Sequence, residues 1–219
     1  MTEYLPRHPY EFWRWWYGPP AQPPNVRSIP GVPRPLREWY AAEEAWGRRL
    51  ATQNEIMRAS ELVAHEGFTP FYAENQGVWL WAFRTGGDDP EVFDRVSQPA
   101  MEGWSVTGAT LSEFLAHVAI LEATITAPIG AMAIDIDRAR YDSVVEPLRP
   151  VSMTPWSWPG PTTQLFVGDH VLAFGCVNDR PGTPVTPESR FRVRVAARSS
   201  DDLAYLDELD IKWTWNTRL

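Results

Sequence analysis

The sequence predicts an α+β fold in which helices pack on a mostly antiparallel, twisted sheet. Apolar residues at strand spacing fall in two blocks, residues 71–83 and 164–195. Helical patterns surround these blocks without the regular strand–helix alternation that a parallel sheet requires. The 219 residues are 44% hydrophobic and 22% charged, which is typical of a soluble globular protein.

The first 29 residues predict an aromatic helix followed by a proline-rich connector. The helix covers residues 10–17, after Pro9, and stops at the sequence Gly-Pro-Pro. Pro35 then begins a second helix over residues 36–46, which Gly47 can end. We expect residues 30–219 to form one α+β domain, and we expect the aromatic helix to dock on it, because so many rings are not left in water.

The stretch FYAENQGVWLWAF, residues 71–83, predicts a hairpin and a buried strand. Asn75 and Gly77 tolerate positive φ, so residues 74–77 can reverse the chain. Residues 78–83 are apolar on both faces, which predicts a central strand covered on both sides. A helix over residues 111–125, with capping-box spacing at its start, is expected on one face. The aromatic N-terminal helix is expected on the other.

The second apolar block predicts two strands, residues 164–167 and 171–177, joined by a tight turn. Residues 190–195 alternate arginine with apolar residues, which predicts a half-exposed strand with its arginines outward. A helix from about residue 201 to Leu209 and a short strand over residues 211–215 complete the chain.

The acidic charge is concentrated in the middle of the chain. The net charge is −8, and residues 59–150 contain fourteen acidic and only five basic side chains. A field of one sign speeds encounter with an oppositely charged partner, although it also simply aids solubility. The negative sign disfavours non-specific binding to nucleic acid, whose phosphates require cations.

The sequence contains none of the common catalytic or phosphate-binding motifs, and its four histidines are far apart. Asp135 and Asp137 would share one face of a strand, as in metal-dependent sugar transferases, but no strand–helix–strand series leads to them. We expect no catalytic residue, metal or cofactor. The lone Cys176 cannot form an internal disulfide, and we see neither a signal peptide nor a membrane span, so a cytoplasmic location is expected.

Twelve tryptophans suggest a binding surface as well as a core. The pattern W-x-W occurs at Trp79/Trp81, Trp156/Trp158 and Trp213/Trp215. Paired indoles can stack on sugar rings, and tryptophan is also common in cores and in protein interfaces. Most of these side chains are expected in the core.

Several short motifs follow one another in the chain: L-R-E-W-Y at 36–40, T-Q-N at 52–54, the stretch at 71–83, and L-S-E-F-L at 111–115. Taken in this order, they resemble the SUKH superfamily. This superfamily comprises bacterial relatives of the fungal cell-wall-assembly regulators. The resemblance is best over residues 30–125. It implies an α+β fold without an active site, in an immunity protein that binds and neutralises a toxin, often a nuclease.

Three functions therefore stand as hypotheses, in order of preference. The first is a non-enzymatic immunity protein that binds a cognate toxin. The second is a carbohydrate- or cell-wall-associated regulator that uses surface tryptophans, and the third is an enzyme that uses Asp135 and Asp137. Because a nuclease groove is basic, the first predicts an acidic partner-binding surface. The residues assigned to that surface are Asp88, Asp89, Glu91, Asp94 and Glu102.

Overall fold

The computed structural model describes residues 9–96, 103–154, 156–160, 162–179 and 184–217. These residues fall into two compact units, residues 9–122 and residues 123–217. Each unit contains one antiparallel sheet together with helices, so the predicted α+β class is confirmed.

The first unit is built on a five-stranded sheet with the strand order β1-β2-β3-β4-β5. Every neighbouring pair in it is antiparallel. The sequence of residues 60–65 suggests a short helix, and the structure has a single turn of 3-10 helix at Ala59–Glu61. The helices and strands of this unit are α1 (Pro9–Tyr17), α2 (Arg34–Trp46), β1 (Glu55–Ile56), β2 (Phe68–Ala73), β3 (Trp79–Arg84), β4 (Glu91–Val96), β5 (Ser105–Thr110) and the start of α3 (Leu111–Thr126).

Helix α2 begins and ends where its sequence predicts. Pro35 lies in its first turn, and Gly47 follows its last residue in the left-handed conformation, with φ 64°. That conformation lets the N–H groups of Gly47 and Arg48 donate to the carbonyls of Glu44 and Glu43. The proline start and the glycine end thus define this helix locally.

The aromatic helix α1 docks through its rings, as predicted, but its partner is α2. Phe12, Trp13 and Trp16 are buried. The Trp13 ring stands edge-on to Trp39 of α2, with 4.7 Å between the ring centroids. Helix α1 therefore covers α2, whereas the sequence predicted it over β3.

The predicted hairpin forms, and β3 is the central strand of its sheet. Gly77 has φ 70° and donates its N–H to the Glu74 carbonyl, which closes the turn. A bulge in β2 between Pro70 and Tyr72 lets both Phe71 and Tyr72 face the core.

Helix α3 covers one face of β3, as predicted. Its Phe114 ring lies against Phe71, Tyr72 and Trp81, with centroid distances of 5.7 to 6.1 Å. The helix is apolar on nearly all sides, which is typical of a helix buried in a protein core. Within the described part of the chain, no helix is both long and apolar enough to cross a membrane.

The second unit is built on a six-stranded antiparallel sheet with the strand order β11-β6-β10-β9-β8-β7. Tyr141 of the helix on this sheet stacks on Phe191, with 4.8 Å between centroids. Leu203 and Leu206 of a 3-10 helix, Asp201–Glu208, are also buried in this core. The other elements are β6 (Ile129–Ile136), α4 (Arg138–Val145), β7 (Arg149–Pro150), β8 (Gln164–Val167), β9 (Val171–Val177), β10 (Phe191–Ala197) and β11 (Trp215–Asn216).

Strands β8 and β9 match the predicted ranges, but β10 and the chain end differ from them. Strand β10 lies between β6 and β9, and the alternating Arg194 is not turned to solvent. Its guanidinium donates to the carbonyls of Thr124 and Ile125 at the end of α3 and lies 4.5 Å from the Trp215 ring centroid. Of the predicted final strand over residues 211–215, only Trp215 is in a strand, where it forms β11 together with Asn216.

Trp13→Ala should lower the free energy of unfolding by about 3 kcal/mol, because it removes a fully buried indole between two helices. The loss should lie at the low end for a buried tryptophan, since the Trp13 Nε1–H has no hydrogen-bond partner among the described residues. Urea unfolding followed by circular dichroism measures this. The exposed neighbour Arg14→Ala is the control and should change stability by no more than about 0.5 kcal/mol. Equal unfolding midpoints for the two variants would contradict the docking of α1.

Candidate functional site

The loop before β4 holds two of the predicted partner-binding residues, and both have structural contacts. The Asp88 carboxylate pairs with Arg37 of α2, with 3.0 Å between Oδ1 and Nη2. The Asp89 carboxylate accepts the backbone N–H of Ser112 at 2.8 Å and its hydroxyl at 2.6 Å. Asp89 thereby caps the start of α3. This loop is tied to two helices by its acidic side chains.

The remaining predicted residues do not join Asp88 and Asp89 in one acidic surface. Glu91 is exposed on β4. Asp94 lies opposite Trp81, on the face that α3 covers, and is half-buried there. Burial raises the pKa of the Asp94 carboxyl. Glu102 lies outside the described residues.

The face of the five-stranded sheet turned away from α3 carries an aromatic–arginine surface. We use this name for Phe68, Arg84, Phe93, Arg95 and Trp104. The Phe68 ring stacks on Trp104 with centroids 5.4 Å apart and meets the edge of Phe93 at 5.0 Å. The Arg84 guanidinium lies 5.3 to 5.4 Å from the Phe93 and Phe68 centroids, and that of Arg95 lies 4.5 Å from Trp104.

Cation–π contacts hold both arginines of this surface while their charge stays in water. Arg84 and Arg95 are exposed, Phe68 and Trp104 are half-buried, and Val106, opposite Phe93 on β5, is 58% exposed. Neither arginine forms an ion pair with a described residue. Arginine and tryptophan are enriched among the hot-spot residues of protein interfaces, and this surface contains both.

Sequence reasoning missed this surface because its members come from three strands and the residue before a fourth. One local signal was available. Phe93 and Arg95 alternate with Val92 and Asp94 along β4, so they must point to the same face. The partners of these side chains depend on strand register, which the sequence does not show.

Glu122 of α3 is the most deeply buried carboxylate with described contacts. It accepts the backbone N–H groups of Thr52 and Gln53 at 2.9 Å each. It also accepts the backbone and side-chain N–H groups of Asn54 and, at 2.9 Å, the Tyr72 hydroxyl. Burial raises the pKa of the Glu122 carboxyl, and these donors oppose that shift. The arrangement joins three segments of the chain and is structural.

Two other candidate groups are also buried. Cys176 lies in β9, and burial raises the pKa of its thiol, which disfavours the reactive thiolate. Trp81 and Trp156 are 1% and 6% exposed, so these members of the W-x-W pairs offer no face to a sugar. Trp213 and Trp215, the third pair, are both half-buried, and Trp213 lines a cleft.

This cleft, of about 740 Å³, lies where β6 ends and α4 begins, and it brings Asp135 and Asp137 together. Asp135 occupies a bulge opposite β10 with φ 65°, a left-handed conformation that aspartate tolerates better than most residues. Its Oδ1 lies 3.6 Å from Nε of Arg190. Asp137 accepts the backbone N–H of Arg140 at 2.9 Å and caps α4.

Cations balance the carboxylates of the cleft. Arg140 pairs with Asp137 and also, at 2.9 Å, with Asp210. The backbone N–H of Arg140, and after it the Arg140 guanidinium, lower the pKa of Asp137. Lys212, the only lysine of the chain, is exposed at the rim. Among the described residues, no group of three or more histidine, cysteine or acidic side chains is placed to hold a metal ion.

Glu122→Gln should lower the free energy of unfolding by about 3 kcal/mol. Both carboxylate oxygens accept a backbone N–H, so either orientation of the amide sets an N–H₂ group against a buried donor. Chemical denaturation at pH 7 measures the change. Glu55→Gln, at an exposed position of β1, is the matched control and should stay within about 0.5 kcal/mol of the wild type. If the two variants were equally stable, the Glu122 carboxylate would not hold the three segments together.

The described residues therefore offer two candidate sites, the aromatic–arginine surface in the first unit and the charged cleft in the second. The resemblance to the SUKH superfamily stays a prediction. No protein-family model, no curated protein and no solved structure matches this chain.

Proposed function

We propose that this protein is a non-enzymatic binding module of the immunity type, which holds and neutralises a toxin protein. The observation that carries the proposal is the aromatic–arginine surface of the first unit. Its rings and guanidinium groups support one another, so they lose little conformational freedom when a partner covers them. Such preorganised aromatic and arginine side chains supply most of the binding energy of many protein interfaces.

The position of this surface also suits a protein partner. It lies on the face of a sheet whose opposite face is held by α3, so its backbone is supported from behind. The adjoining strand β5 is at the edge of the sheet and exposes Val106 beside the rings. A partner can therefore bury rings, aliphatic surface and two cations in one contact.

The acidic charge of the chain has a separate role in this proposal. A net charge of −8 attracts a basic partner such as a nuclease over a distance of roughly a Debye length, about 8–10 Å in physiological salt. Of the predicted acidic residues, Asp88 and Glu91 have exposed side chains that contribute to this field. Asp89 is occupied by its hydrogen bonds to Ser112, and Asp94 is half-buried on the face that α3 covers.

The decisive experiment is capture of a toxin followed by rescue from it. We expect the tagged protein, expressed in its native host, to retain one stoichiometric partner whose isolated C-terminal domain stops growth of a second host. Co-expression of this protein should restore growth. Trp104→Ala and Arg95→Ala should weaken binding to that domain by about tenfold or more, as expected of hot-spot residues.

Asp135→Asn is the control, because it changes an exposed side chain of the second unit and asparagine tolerates the left-handed backbone there. It should bind the domain and restore growth like the wild type. A captured partner that is harmless in isolation would refute the immunity proposal. Full protection by Trp104→Ala and Arg95→Ala would instead refute the aromatic–arginine surface as the contact site.

Glu91→Lys should slow association with a basic toxin several-fold at low salt, because it reverses an exposed charge on the face that carries Arg95. The difference from the wild type should shrink as salt is added, since screening removes the field. Stopped-flow association at two ionic strengths measures this. An equal or faster rate for the variant at low salt would show that the partner surface is not basic.

A further inference from the structure

The charged cleft of the second unit is a feature that the proposed function does not use. Three carboxylates and three cations line it together with one indole, that of Trp213. Its volume of about 740 Å³ lies in the range of small-ligand sites, roughly 300–1,000 Å³. It is formed by residues of one unit and is independent of the aromatic–arginine surface.

We propose that this cleft is a saccharide-binding site, in which Trp213 packs on a sugar ring while Asp135 and Arg190 hydrogen-bond to its hydroxyl groups. The site would take a neutral oligosaccharide. This proposal assigns the carbohydrate-associated role, the second hypothesis from the sequence, to this cleft. Only one of the three W-x-W pairs contributes a tryptophan to it.

The balance of charge in the cleft selects a neutral ligand. Asp135, Asp137 and Asp210 are matched in number by Arg140, Arg190 and Lys212, so the cleft has no net charge that would attract an anion or a cation. The cleft is also open to water, and salt screens the attraction between exposed charges. A polyol hydroxyl can donate to a carboxylate and accept from a guanidinium at once, and such charge-assisted hydrogen bonds are stronger than neutral ones.

Two polar groups of the cleft, Asp137 and Arg140, are held in place before a ligand arrives, whereas Asp135 and Arg190 are held more loosely. Asp137 is fixed by the first turn of α4 and by Arg140, which Asp210 holds from the other side. Asp135 and Arg190 are paired more loosely, at 3.6 Å, and their side chains are 68% and 48% exposed. Asp135 and Arg190 therefore keep hydrogen-bonding capacity for a ligand beside Asp137 and Arg140, which hydrogen-bond to each other.

Trp213 supplies the apolar part of the site. It packs against the core of the six-stranded sheet, which fixes its ring, while its remaining surface lines the cleft. An indole presents a flat apolar face and one N–H donor, a combination that matches the C–H face and the hydroxyl rim of a sugar. The bulge at Asp135 turns that carboxylate into the same cleft.

Saturation-transfer NMR with the full-length protein tests this proposal, using maltohexaose, cellohexaose and chitohexaose as separate probes. We expect at least one of them to receive saturation and to bind with a Kd of about 1 mM or tighter. Trp213→Ala and Asp135→Asn should each weaken that binding by about tenfold or more. Asparagine also tolerates the left-handed conformation, so the second variant keeps the fold even if the first does not.

Trp104→Ala is the matched control in the first unit and should bind the sugar like the wild type. Two results would overturn the proposal. One is that none of the three sugars receives saturation at about 5 mM, well above the expected Kd. The other is that Asp135→Asn binds as tightly as the wild type. Glycine and adenosine diphosphate serve as charged probes, and binding of either one in place of the sugars would also overturn it.

Discussion

The buried carboxylate of Glu122 is the interaction on which the first unit depends. A carboxylate inside a protein costs several kcal/mol unless its lone pairs are satisfied, and here five donors satisfy them. These donors come from residues 52–54 and from Tyr72 of β2, so one side chain of α3 positions both the 52–54 segment and β2. With α3 fixed on one face of the sheet, the other face is left to carry the aromatic–arginine surface.

Other carboxylates of the chain also accept backbone N–H groups, so part of the acidic charge has a structural role. Several carboxylates of the acidic middle accept backbone N–H groups at turns and helix starts; they are Glu61, Glu74, Asp89, Glu113, Glu122 and Asp137. These side chains cap helix starts, close turns and fix loops. Some of the acidic side chains in residues 59–150 therefore bind the protein's own backbone. Only the others contribute to a field that attracts a partner.

Arginine side chains stack on aromatic rings in both units. The chain has a single lysine, and lysine would not provide these planar contacts. Guanidinium groups lie over aromatic rings in both units, at Arg48, Arg84, Arg95, Arg138 and Arg194. A guanidinium can stack and donate hydrogen bonds at once, whereas an ammonium group is more strongly hydrated. Arg194 does both, between Trp215 and the last carbonyls of α3.

Local signals in the sequence were sufficient for most elements. Pro35 and Gly47 delimit α2, Gly77 closes the hairpin, and the spacing of Thr110 and Glu113 marks the start of α3. Each of these depends on residues within a few positions of one another, so the sequence alone determined them.

Tertiary structure decided what lies on each face and which distant residues meet. It placed α1 on α2, packed the half-buried Arg194 against Trp215 and the end of α3, and separated Asp94 from Glu91 across a sheet. It also brought Asp135 and Trp213, far apart in the chain, into one cleft. Strand register and helix packing set these contacts through many weak interactions between remote residues, and no short segment of the sequence contains them.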